Sequence, residues 1–150
     1  FRLDAFAYSI CFAVNASGMI VGSRITPRFS SVFSALKSGV YGLCLSCLAF
    51  VAVLLFDGSF YLMETLLFVM MNFLGMILPT STSLALTLER DNAGGASAVI
   101  GFCMFLFGAI VSPMTGFGPM ITSISVMTLL CCLLALLFLF IAKKRSGQSA

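Results

Sequence analysis

Residues 120–145 decide the fold, and they read MITSISVMTLLCCLLALLFLFIAKKR. From Leu129 to Ala142 no side chain is polar, and three basic residues follow immediately. A helix needs roughly 18–20 apolar residues to cross about 30 Å of hydrocarbon, and basic residues are typical of the membrane boundary. This stretch therefore predicts a transmembrane helix.

Four more apolar segments of similar length precede this one. The five predicted helices cover 5–22, 39–56, 60–88, 94–116 and 120–142, with a tail at 143–150. The chain is 61% hydrophobic and 9% charged, whereas a soluble domain carries roughly 25% charged residues. Backbone polar groups in lipid need partners within their own segment, so helix is the expected form. The sequence predicts an all-α integral membrane protein with five transmembrane helices.

The basic residues predict the orientation of these helices. When the segments are threaded up and down, one side receives seven of the eight basic residues, namely Arg24, Arg28, Lys37, Arg90, Lys143, Lys144 and Arg145. Only Arg2 falls on the other side. Because Lys and Arg are enriched in cytoplasmic loops, we expect the C-terminus to be cytoplasmic. The positive charge thus indicates the lipid bilayer as partner and gives no sign of nucleic-acid binding.

The start of the chain indicates a longer protein. It begins with Phe1, no signal-peptide pattern precedes the first helix, and the number of helices is odd. We therefore expect the C-terminal part of a larger membrane protein whose N-terminal half is missing here.

The five helices differ in their polar content. The second and fifth are almost purely apolar, so we expect them to face lipid, with Cys44 and Cys47 as ordinary lipid-facing residues. In the third, Pro79 removes a backbone donor and predicts a bend near Gly75. In the fourth, small residues four apart predict close helix packing, with a gating role as the alternative; they include Gly101 and Gly108, and Pro113 follows.

Three polar residues inside apolar segments are candidate functional groups. Asn15 and Asn72 predict either hydrogen bonds between helices or contacts to a substrate in a cavity. Glu64 lies about one turn into the third helix, where it predicts either a headgroup-level carboxylate or a proton-binding carboxyl. The sequence contains no His, so it offers no His-based catalytic triad. Cys44 and Cys47 have no His or second Cys pair near them in sequence to complete a zinc site, and no phosphate-binding glycine loop occurs. We therefore expect no metal, no cofactor and no enzyme function.

Two segments resemble a known family. Residues 72–86 read NFLGMILPTSTSLAL, and residues 93–116 read AGGASAVIGFCMFLFGAIVSPMTG. Together with Asn15 in FAVNA at 12–16, they resemble the Bcr/CflA (bicyclomycin-resistance) drug-efflux group of the major facilitator superfamily. The resemblance implies that the five helices are the eighth to twelfth of a twelve-helix fold.

The resemblance also implies a function. It implies multidrug efflux by drug:proton antiport in a bacterial inner (cytoplasmic) membrane, with small amphipathic drug-like substrates and a cavity near the midplane. The expected cavity residues are Asn15, Asn72, Met76 and Phe105. The family's cytoplasmic loop signature is only echoed, at Gly22, Arg24 and Arg28. The alternatives are a non-transporting membrane subunit that packs against partner helices, and a metabolite carrier or importer of the same fold.

Overall fold

Five long helices form the described part of the molecule. The computed structural model describes residues 4–56, 58–116 and 118–146, so Arg2 and the end of the tail lie outside the described residues. The helices are α1 (Ala5–Ile25), α2 (Val32–Leu55), α3 (Phe60–Leu88), α4 (Ala93–Met114) and α5 (Met120–Ser146). No strand occurs in these residues, and all five helices are long and apolar enough to cross a membrane. The predicted all-α membrane class is confirmed.

The helix boundaries differ from the expected ones mainly around the first connection. α2 begins at Val32 rather than at 39, because the Ser31 hydroxyl caps it by accepting a hydrogen bond from the Ser34 amide at 3.1 Å. α1 continues to Ile25, where a short 3₁₀ turn at Thr26–Arg28 follows. The long predicted connection therefore shrinks to six residues, 26–31. At the other end of the chain, α5 includes Lys143 and Lys144.

α3 is the central helix, with α1 on one face and α2 on another. α1 runs parallel to α3, since Asn15 contacts Glu64 and Gly22 contacts Asn72 further along both helices. α2 runs antiparallel to α3, and α5 packs against α2. The ends of α1, α3 and α5 therefore lie beside the starts of α2 and α4. We call this the basic end of the bundle, because it holds Arg24, Arg28, Lys37, Arg90, Lys143 and Lys144.

Glycines allow α1 and α3 to approach closely. A methyl group on Gly22 would overlap the Asn72 carbonyl oxygen, and one on Gly75 would overlap the Met19 carbonyl. At Gly18 the added carbon would lie 3.0 Å from the Phe68 carbonyl oxygen. Small residues four apart thus bring two backbones into contact, as in other membrane helix pairs.

The expectation that Cys44 and Cys47 face lipid is wrong, although other α2 side chains, such as Leu45 and Leu48, are exposed. α2 holds most of the buried apolar residues, because Gly39 and Gly42 let side chains of α3 pack onto its backbone. Cys44 and Cys47 are both buried, and the Cys44 thiol lies 3.8 Å from the Cys132 carbonyl oxygen of α5. Sequence spacing alone did not reveal this thiol cluster, because its third member, Cys132, lies 85 or more residues away.

α4 is the least covered helix. It holds no buried residue, and a carbon added to Gly101 or Gly108 would meet nothing within 4 Å among the described residues. Close packing at these glycines therefore stays a prediction. Pro113 lies in the last turn of α4, where its carbonyl accepts a hydrogen bond from the Gly116 amide at 3.0 Å.

Candidate functional site

A carboxyl–amide pair joins α1 to α3 within the apolar bundle. Asn15 Nδ2 donates a hydrogen bond to Glu64 Oε1 at 2.8 Å, and both side chains are half-buried. Helical spacing creates this meeting: Cys11, Asn15, Gly18 and Gly22 share one face of α1. Glu64 lies on the opposing face of α3, two turns before Asn72. We call Asn15 and Glu64 the polar pair.

The polar pair retains unused hydrogen-bonding capacity. Asn15 Oδ1 is buried and has no partner among the described residues. The Glu64 carboxyl accepts the bond from Asn15, whereas a protonated carboxyl carries an O–H that can also donate. Rotation of the Asn15 amide would bring Oδ1 to accept that O–H. The pair can therefore form one hydrogen bond between the helices with Glu64 either charged or neutral.

The position of Glu64 agrees with the sequence analysis, but its partner was not foreseen. Glu64 lies one turn after the start of α3 at Phe60. Instead of extending freely to headgroup level, its carboxyl turns toward the middle of α1, where Asn15 lies. Sequence spacing predicts the face of each helix, but it gives no information on which two faces meet.

The four expected cavity residues do not come together. Asn15 and Asn72 lie along the same contact between α1 and α3. Met76 is only 4% exposed and lies next to Gly39, between α3 and α2. Phe105 is 83% exposed on α4. Their role in a shared substrate cavity stays a prediction.

An open groove of about 710 Å³ separates α3 from α4. Pro79 lines it, but none of the four expected cavity residues does. Its walls combine apolar side chains, three hydroxyls and one cation, and the lining residues are Leu78, Pro79, Thr82, Ser83, Leu86, Thr87, Arg90 and Met104. The signal that could have identified this face is the spacing of Pro79, Ser83 and Leu86 along one side of α3.

The first two hydroxyls after Pro79 donate hydrogen bonds to backbone carbonyls of the preceding turn of α3. Thr80 is buried, and its hydroxyl donates to the Met76 carbonyl at 2.6 Å. Ser81 donates to the Leu78 carbonyl at 3.1 Å. These bonds fall on carbonyls just after Gly75, whose own carbonyl faces the missing donor of Pro79. α3 continues through Pro79 to Leu88, and a bend there stays a prediction.

The loop signature residues do not act together in the structure. Gly22 is buried against α3, where it serves helix packing. Arg24 and Arg28 are exposed at the basic end. In the ranges that the structure covers, no group of three or more Cys, Asp or Glu side chains is arranged to hold a metal ion.

Comparison with known proteins finds a similarity to a bacterial membrane protein. No family model and no solved structure matches the chain. Over 149 residues, or 95% of its length, the chain is 28% identical to the uncharacterized MFS-type transporter YdgK of Bacillus subtilis (strain 168). The chain spans 37% of the length of that relative. The similarity is therefore to a membrane transporter of the MFS type, over a little more than a third of that protein's length.

Proposed function

We propose that the chain is the C-terminal part of a twelve-helix secondary transporter that exports small amphipathic, drug-like molecules in exchange for protons. The similarity to an MFS-type transporter supports the transport role. The observation that carries proton exchange is the hydrogen bond between Asn15 and Glu64 across α1 and α3. In this proposal the protein lies in the bacterial cytoplasmic membrane, with its C-terminus in the cytoplasm.

The polar pair suits proton coupling because it spans two helices. A transporter that alternates between two conformations needs a group whose protonation changes the relative energies of those conformations. Glu64 is an acid in an otherwise apolar part of α3, and its half-buried carboxyl bonds to a neutral amide rather than to a cation. Protonation of Glu64 would therefore remove a negative charge from the contact between α1 and α3. It would also let the carboxyl, rather than the amide, donate the hydrogen bond.

The groove between α3 and α4 supports an amphipathic substrate. Its apolar side chains include Met104, and Met adapts readily to ligands of different shape. Thr82, Ser83 and Thr87 add hydroxyls that can orient a polar group. Such a mixture favours a range of related compounds over one rigid solute.

The test is transport by the complete gene product in inside-out vesicles. A fluorescent amphipathic dye should accumulate when a proton gradient is imposed, and a protonophore should abolish the accumulation. Glu64→Gln should reduce gradient-driven accumulation to the level of vesicles without the protein. Glu89→Gln is the matched control, because Glu89 is exposed in the turn before α4 and should leave transport unchanged.

Other results would replace this proposal. Gradient-driven movement of a metabolite into cells, with drug tolerance unchanged, would indicate an importer. Failure to move any solute under any gradient would indicate a non-transporting subunit. Equal transport by Glu64→Gln and the wild type would remove Glu64 from proton coupling.

A further inference from the structure

Two lysines of the basic end line a pocket between α2 and α5, away from the polar pair. α2 and α5 enclose a pocket of about 440 Å³ near the basic end. Lys37 and Tyr41 line it from α2, and Lys143 lines it from α5. The remaining wall is apolar and includes Leu137 and Phe140. Two lysines from different helices therefore line one pocket whose remaining wall is apolar.

The two lysines lack a compensating charge. Neither has an ion-pair partner within the described ranges, and the acids at this end, Glu89 and Asp91, are exposed in the turn between α3 and α4. Lys37 is half-buried six residues into α2, where a lysine can lay its methylene chain along apolar surface while its ammonium reaches the membrane boundary. A partly buried ammonium is stabilised when an anion binds beside it.

The apolar wall indicates what kind of anion fits. Leu137 and Phe140 are 52% and 68% exposed, and they line the pocket from α5. A small soluble anion gains nothing from this surface, whereas an acyl chain buries it. Basic pockets between helices near the membrane boundary suit anionic lipid headgroups in this way.

We propose that this pocket binds an anionic phospholipid, with its phosphate between Lys37 and Lys143 and an acyl chain along Leu137 and Phe140. The site is independent of the polar pair, which lies between α1 and α3, and of the groove between α3 and α4. Its occupant holds α2 and α5 together at the basic end. The proposal therefore does not depend on what the protein transports.

The test measures lipid affinity directly. The complete gene product is placed in nanodiscs of phosphatidylcholine, and a fluorescent phosphatidylglycerol is titrated in. The double variant Lys37→Gln/Lys143→Gln should bind it about 25-fold more weakly, from roughly fivefold for each lysine near the surface. The matched control is Arg28→Gln/Lys144→Gln, which removes two charges from the basic end without touching the pocket. It should bind close to wild type.

Three results would overturn the proposal. Equal weakening by both double variants would mean that the lipid senses only the general charge of the basic end. No weakening by Lys37→Gln/Lys143→Gln would mean that the pocket does not bind it. Displacement of the lipid by millimolar inorganic phosphate, with Phe140→Ala binding as well as wild type, would assign the pocket to free phosphate instead.

Discussion

At the scale of single residues, the contact between Asn15 and Glu64 combines a chargeable group with a neutral partner. A carboxylate between helices usually pairs with a cation, but the Glu64 carboxyl accepts its hydrogen bond from the neutral amide of Asn15. This choice leaves the carboxyl free to gain or lose a proton without breaking an ion pair. Because both partners are side chains, substitutions can measure how much this hydrogen bond contributes to stability.

A double-mutant cycle tests this bond. Asn15→Ala, Glu64→Ala and the double variant should give a coupling of about 0.6–2 kcal/mol in the free energy of unfolding, as for other hydrogen bonds between membrane helices. Thermal or denaturant unfolding in detergent measures it. The control cycle, Asn15→Ala with Glu89→Ala, should give a coupling near zero. A coupling near zero in both cycles would show that the bond contributes nothing.

The two asparagines should differ in their effect on export. Asn15→Ala removes the donor to Glu64, so we expect gradient-driven dye export to fall with it. Asn72 meets Gly22 through its backbone carbonyl, which an Ala substitution retains. A loss of export in Asn72→Ala, with the free energy of unfolding unchanged, would therefore indicate substrate contact. Export assays with several dyes separate these effects. If both variants exported every dye normally, the assignment of both to a cavity would be wrong.

At the scale of helices, the contact between α1 and α3 is set by glycine. The carbonyl groups of Met19 and Asn72 occupy the space that a side chain at Gly75 or Gly22 would need. Because these are backbone atoms of helices, they cannot move aside as a flexible side chain would. The polar pair depends on this short separation, since Asn and Glu are too short to bond across widely spaced helices.

Substitution of these glycines should therefore separate α1 from α3. Gly75→Val should lower the free energy of unfolding by about 1–3 kcal/mol, the usual cost of an overpacked contact. Gly94→Ala is the control, because a carbon at Gly94 meets nothing within 4 Å, and its effect should stay within about 0.5 kcal/mol. Similar losses in both variants would contradict the observed contact.

The sequence predicted where the helices lie better than which helices pack against each other. α3 begins and ends where its apolar run does, at Phe60 and Leu88. The burial of Cys47 could not be predicted from hydropathy. It depends on packing against residues of α5 that lie more than 80 positions further along the chain. The polar pair was missed for the same reason. Hydropathy identifies what enters the membrane, whereas small residues and helix direction decide what packs together.

At the scale of the whole molecule, the five helices place all described Lys and Arg side chains at one end. This arrangement agrees with the up-and-down threading that the sequence suggested. It leaves the connections after α2 and α4 at the opposite end. The orientation of the bundle in the membrane follows if the basic end faces the cytoplasm.

Reporter fusions test this orientation. A fluorescent protein fused after Ala150 should be fluorescent, because it remains in the cytoplasm, and alkaline phosphatase at the same position should be inactive. Fusion after Gly58, in the connection between α2 and α3, should give the reverse pattern. Active phosphatase after Ala150 would invert the proposed topology and place the lipid pocket in the outer leaflet.

The unequal overlap of α1 and α3 has a mechanical consequence. Beyond the contact between Gly22 and Asn72, α1 ends within one turn, at Ile25, whereas α3 continues to Leu88 for about 24 Å. α2 accompanies α3 over this length, with Gly39 beside Ile77. α3 and α2 therefore extend together beyond the end of α1. In the proposed proton exchange at Glu64, we expect a tilt of α3 at the glycine contact to displace the end of α3 most, where Arg90 borders the groove.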